Sequence, residues 1–192
     1  MSTEYKDWYN DFSDHQKEIY NICIKYPFLI PRDIDGSRDE EFEYEYLCLE
    51  IPIGWRKLFL QMCSDIKPLL EKEGVIDDFY FLQVKEKYNE LTCYSNGVAS
   101  LEVGEILQKY RYLSRFVCTE CGKPALYEAN GYLESFCKDC WEKNSRLKKG
   151  RTLEFIDTYE MIRFGNGEKH TYTVSVEDEW NRYLKENSYD TV

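Results

Sequence analysis

The chain predicts an α+β fold, with helices packed on small antiparallel β-hairpins, an inserted four-cysteine ribbon, and a C-terminal β-hairpin followed by a helix. Three observations lead to it. Apolar residues recur at three-and-four spacing in several stretches, the mark of helices with one buried face. Between those stretches the period switches to two around turn residues, the mark of hairpins. Two Cys-x-x-Cys knuckles, Cys118 with Cys121 and Cys137 with Cys140, stand fifteen residues apart.

The elements follow in order. The first dozen residues are polar and aromatic and read as a loose arm. Ser13 with Gln16 three residues on forms a capping box, and a helix over 14–25 buries Ile19, Ile22 and Cys23. Pro27 ends it, because the residue before a proline avoids helical angles. The segment 26–32, with Pro27 and Pro31, reads as extended. An acidic loop follows over 33–50, where Asp33, Asp35, Asp39, Glu40, Glu41, Glu43, Glu45 and Glu50 face Arg38 alone. A short edge strand is expected over 44–49.

Gly54-Trp55 opens the clearest helix. Trp55, Leu58, Phe59, Met62, Ile66, Leu69 and Leu70 form one broad stripe, Pro68 sits within it, and Gly74 is a natural C-cap. From residue 79 the alternation predicts a strand with Tyr80, Leu82 and Val84 on one face. A turn at 87–90 returns it through 91–94. Lys85-Glu86-Lys87 reads as a charged exposed edge. Ser100 caps a helix whose Val103, Ile106, Leu107, Tyr110 and Leu113 share a face and lead directly to Cys118.

Four thiolates at about 2.3 Å satisfy a tetrahedral zinc ion, and two facing knuckles supply that geometry. Gly122 follows the first knuckle, where positive φ lets the chain turn around the metal. Asn130-Gly131 signals a two-residue hairpin between Ala125-Leu-Tyr127 and Tyr132-Leu133. One structural zinc ion on Cys118, Cys121, Cys137 and Cys140 is therefore expected, the alternative being two disulfides or unpaired thiols. Cys118-x-Glu120 with Cys137-x-x-Cys140 is also similar to the zinc deaminases. Cys121 would close the position that water needs there, and Phe136 stands where that signature has proline.

After the knuckles, Lys143, Arg146, Lys148, Lys149 and Arg151 form the basic cluster. It reads either as a solvated linker or as a patch for phosphates or an acidic partner. A second hairpin is expected over 159–176 around Asn166-Gly167, then a helix from Glu177 to about Lys185 burying Trp180 and Leu184. The organisation is thus a body over 1–116, a ribbon over 117–142, and a tail over 143–192.

Composition bounds the function. At 192 residues and 16% aromatic, the chain is long and aromatic enough to bury a core. No run of eighteen apolar residues and no basic-apolar leader is present, which predicts a soluble, cytoplasmic protein without membrane contact. Cys23, Cys48, Cys63 and Cys93 are scattered singles, read as reduced core thiols. A net charge of −11 argues against a general nucleic-acid binder and favours partners with a basic surface. The acidic loop is then either a solvated loop, a carboxylate metal site, or a surface imitating phosphates. In the last reading Asp39, Glu40, Glu41, Glu43, Tyr44 and Tyr46 make the contacts.

The blocks 26–32, Gly54-Trp55, Gln83-Val-Lys-Glu-Lys-Tyr88, Tyr94-Ser-Asn-Gly97 and Cys118-x-x-Cys121-Gly-Lys-Pro124 resemble a group of uncharacterised proteins. That group is carried by phages and mobile elements of bacteria, and the resemblance spans roughly residues 26 to 141. It implies a bacterial host cell as the setting, and no activity. Only His15 and His170 are available as near-neutral bases, neither beside a nucleophile motif, and no phosphate-binding glycine loop is present. Carboxylate pairs that converge only in the fold stay open. The expectation is a non-enzyme: an inhibitor or adaptor that occupies a host protein. The alternative is a nucleic-acid-binding accessory factor using the ribbon and the basic cluster. Oligomeric state is not readable.

Overall fold

The computed structural model describes residues 7–32, 36–38, 49–131, 133–144, 149–165 and 167–189. It is an α+β structure of mixed helices and small sheets. Among the described residues no helix is long and apolar enough to cross a membrane.

The N-terminal stretch is not wholly a loose arm. Asp7–Asp11 forms a short helix, α1, and Tyr9 lies against Tyr20 of α2 (Asp14–Lys25) at 5.2 Å between ring centroids. The capping box forms as expected: Ser13 Oγ accepts from the Gln16 N–H, and Gln16 Oε1 accepts from the Ser13 N–H. Ile19 and Cys23 are buried, whereas Ile22 is only partly so. The expected extended segment at 26–32 is instead a single 3-10 turn, Pro27–Leu29, which buries Phe28 and Leu29. Proline's fixed φ suits the first position of such a turn as well as an extended chain.

The candidate contact residues Asp39, Glu40, Glu41, Glu43, Tyr44 and Tyr46 lie outside the described residues, as does Cys48. A strand does follow them. Leu49–Glu50, β1, pairs in parallel with Val84 and Lys85 of β2 (Phe81–Glu86). Strand β2 therefore lies between β1 and β3 (Leu91–Ser95), so Lys85 is not on a free edge. The expected inward face of β2 is also corrected. Leu82 is exposed, while Phe79, Phe81 and Val84 pack on the core. A bulge between Phe81 and Gln83 is the reason. It inserts one residue, so side chains before and after it change parity and still point inward. At the turn, Tyr88 and Asn89 both have positive φ, and the Lys87 and Glu90 backbones bond each other reciprocally.

The long helix α3 (Arg56–Glu73) follows a 3-10 turn at Ile53–Trp55 and ends at Gly74. Its predicted stripe is the core: Trp55, Leu58, Phe59, Met62, Ile66 and Leu70 are fully or almost fully buried. Helix α4 (Leu101–Leu113) packs beside it, capped by Ser100 Oγ on the Val103 N–H. Asp65 on α3 accepts from Tyr110 Oη of α4 at 2.7 Å and from Arg182 at 2.6 Å. That triad ties the C-terminal helix to both.

After a 3-10 turn (Ser114–Phe116) the chain enters the ribbon. Strands β4 (Tyr127–Ala129) and β5 (Ser135–Phe136) pair through Tyr127↔Phe136 and Glu128↔Ser135. The second ribbon strand thus lies beyond the expected Tyr132-Leu133, of which Tyr132 is outside the described residues, and β4 and β5 are not joined by a two-residue turn. Helix α5 (Lys138–Lys143) carries Cys140. Residues 150–152 are exposed but not a free linker: Gly150–Thr152 is strand β6, which joins β4 and completes the sheet order β5-β4-β6. The final hairpin, β7 (Thr158–Gly165) and β8 (Glu168–Ser175), and helix α6 (Glu177–Glu186) form where expected. Helix α6 buries Tyr183 in addition to Trp180 and Leu184, and this face belongs to the main core.

Candidate metal centre

The two knuckles come together as their spacing predicts. Cys118, Cys121, Cys137 and Cys140 place their Sγ atoms within 4.8 Å of one another, with Cys121 the exposed member. Cys121 Sγ stands 3.5 Å from Cys137 Sγ. A disulfide needs about 2.05 Å, whereas four ligands on a tetrahedral ion at about 2.3 Å are spaced by about 3.8 Å. All four thiols are free. The set can hold a metal ion.

Local backbone shape aims the sulfurs. Gly122 takes φ of 79°, and the Gly122 N–H returns to the Cys118 carbonyl at 3.0 Å while the Cys118 N–H reaches Lys123 O at 2.8 Å. In the second knuckle the Trp141 N–H bonds Cys137 O at 2.9 Å, the first turn of α5. Burial lifts the Cys118 thiol to about 11, against the pull of the Cys137, Cys121 and Glu120 N–H groups that point at its sulfur. Burial also pushes Cys121 up, but the Lys123 N–H and the surrounding sulfurs outweigh it and its thiol lies below the ordinary value. A bound cation takes thiolates, so it displaces these protons on binding.

The first knuckle is held from outside by residues that its spacing does not announce. The Gly54 N–H donates to Thr119 O at 2.9 Å, and Trp55 Nε1 donates to Val117 O at 3.0 Å. A Cβ on Gly54 would lie 2.1 Å from Cys118 O and 2.7 Å from Gly122 N, so only glycine allows this approach. On the other side Tyr183 Oη donates to Gly122 O at 2.6 Å. Ser135 links the strands to the body: its carbonyl accepts from the Thr119 N–H, and its hydroxyl accepts from Asn89 Nδ2 at 2.7 Å. Only the Gly54-Trp55 pair had a sequence signal, and that signal read as a helix start.

The remaining candidates divide. Lys143 ends α5 and Arg151 sits on β6. Lys149 is exposed beside β6, and its carbonyl accepts from the Asn130 N–H. Arg146 and Lys148 lie outside the described residues. Arg151 is not a free cation. Its Nη2 bonds Glu128 Oε2 at 2.7 Å, and Glu128 is 3% exposed, so the arginine neutralises a buried carboxylate. Glu120, the acid of the deaminase comparison, accepts from Asn144 Nδ2 at 3.4 Å, and Cys121 joins the other three sulfurs.

Comparison of the chain with protein-family profiles, with curated proteins and with solved structures finds no match. The class that the fold and site define is an α+β protein with a four-cysteine cluster able to hold a metal ion.

Proposed function

We propose that the chain is a non-catalytic binding module, stapled by one structural zinc ion, whose acidic surface docks a basic partner. The resemblance to phage- and mobile-element-borne proteins makes that partner a host protein of a bacterial cytoplasm, in a defence or nucleic-acid-processing complex. The protein then acts as an inhibitor or adaptor. Zinc suits four thiolates, has no redox chemistry, and in a closed four-sulfur set supplies folding free energy.

The observation that carries the reading is where the knuckle spends its contacts. Gly54, Trp55 and Tyr183 of the chain's own body take the Thr119, Val117 and Gly122 carbonyls. The backbone of the first knuckle is thereby pinned to the body, which favours a structural staple. Charge supports the rest: −11 overall favours a basic partner and repels phosphates. The nucleic-acid reading also loses Arg151 to Glu128.

The test replaces Asp39, Glu40, Glu41 and Glu43 together by their amides. The variant is expected to keep its metal and melting temperature while losing capture of the host protein from a lysate. Undiminished capture would sink the acidic-surface reading.

A further inference from the structure

A second surface, remote from the acidic loop in sequence, lies between α4 and β7. It is a groove of about 640 Å³ that runs past Leu101, Gly104 and Arg111 on the helix. On the strand side it is lined by the five consecutive residues 159–163, and no residue of β8 reaches it. Successive strand side chains point to opposite faces. Five in a row can line one groove only if the groove meets the strand at its edge.

Among the described residues that edge is unpaired. Strand β7 has β8 as its only neighbour among the described residues. The Val176 N–H bonds Asp157 O at 2.8 Å, and the register continues as Thr158↔Ser175 and Tyr159↔Val174. Antiparallel pairs alternate between bonded and non-bonded, so Tyr159 and Met161 bond β8 while Thr158, Glu160 and Ile162 turn their N–H and C=O groups outward. Among the described residues no other backbone group takes them.

Three further features describe the occupant. Gly104 sits inside α4, where glycine weakens a helix, yet a Cβ there would meet nothing within 4 Å. Among the described residues its bareness serves no packing, and it leaves room for another backbone. Leu101 and Ile162 are 73% and 49% exposed at the groove. Arg111, Arg115 and Arg163 line it together with Glu90 and Glu160, a small positive balance in a chain of net charge −11. Arg111 is paired with Glu90 at 2.6 Å and Arg163 with Glu105 at 2.8 Å, whereas Arg115 meets Glu90 only at 4.0 Å.

We infer that the β7 edge and the α4 groove together bind an extended acidic peptide of a partner protein, added to β7 as a third strand. Main-chain bonds to Thr158, Glu160 and Ile162 supply affinity, small or apolar side chains pass Gly104 and Leu101, and a carboxylate meets Arg115, the arginine least engaged by the chain's own glutamates. The site goes beyond the acidic-surface reading and uses none of its residues.

The test titrates the full chain into a fluorescent eight-residue peptide that alternates glutamate and valine. Saturable binding is expected. It should weaken at least tenfold when alternate peptide nitrogens are methylated, and at least tenfold in Gly104→Trp, which fills the groove without touching the β7–β8 ladder. Arg115→Gln should weaken it while leaving melting unchanged, and the lysine–valine peptide should not bind. No saturable binding overturns the proposal, as does equal affinity for the methylated peptide or for Gly104→Trp. Arginine-dependent binding of a single-stranded oligonucleotide in place of the peptide overturns it as well. The amide variant at residues 39–43 should bind the peptide normally, which separates this site from the acidic loop.

Discussion

Gly54 is the residue on which the four-cysteine cluster meets the body. Its missing side chain lets α3's entry turn lie against the Cys118 and Thr119 carbonyls. Gly54→Ala would press a methyl group into backbone that cannot move without moving a sulfur. It should lower the melting temperature markedly and weaken metal retention, read by calorimetry and by a chromophoric chelator. Tyr183→Phe is the milder companion, since it removes only the hydroxyl that holds Gly122 O. A cost of about 1–2 kcal/mol is expected from chemical denaturation, because the carbonyl is left buried and unpaired. Cys118→Ser should lose the ion and loosen the ribbon; one ion per chain with unchanged melting in that variant would contradict a structural role.

At the scale of elements, α4 carries a built-in weakness. Gly104→Ala adds a methyl group into open space on a helical backbone, so it should stabilise the chain by about 1 kcal/mol in denaturant melts. The ribbon sheet shows a different dependence. Gly150 packs under Trp141, whose ring would stand 2.6 Å from an added Cβ, and Arg151 beside it neutralises Glu128. Strand β6 thus closes the ribbon from a stretch that reads as charged linker. Its three residues alternate too briefly to announce a strand, and the carboxylate that Arg151 serves is buried only by the fold. The same limit applies to β2, where a bulge undoes the simple parity of its alternation. The long stripes of α3 and α4, the capping box of α2 and the knuckle spacing were legible because each is a local pattern with a fixed period.

For the whole molecule, the four-cysteine cluster is a small buried cluster of its own that hydrogen bonds tie to the main core. Tyr183 sits in the main core and bonds the knuckle, so removing the ion should destabilise the body and not only the ribbon. A chelator is expected to lower the single melting transition rather than split it into two. Scattered core thiols add a pH dependence. Burial pushes Cys23 and Cys93 up to about 12 and raises Cys63 well above its ordinary value. Their folded values lie above the unfolded value near 9, so their contribution is fully present below about pH 8.5 and fades as pH rises toward 12. The melting temperature should fall between pH 9 and 11, and Cys23→Val with Cys93→Val should flatten part of that fall.

By itself the sequence determined the α+β class, the four-cysteine cluster, the core stripes and the hairpin-plus-helix tail. Those follow from period, cap and spacing, which act within a few residues. The tertiary structure alone decided that Gly54, Trp55 and Tyr183 grip the first knuckle, that β6 belongs to the ribbon, and that β7 leaves an edge over a bare stretch of α4. Each joins residues tens of positions apart, where hydrogen bonds and close approach depend on how the elements pack rather than on any pattern along the chain.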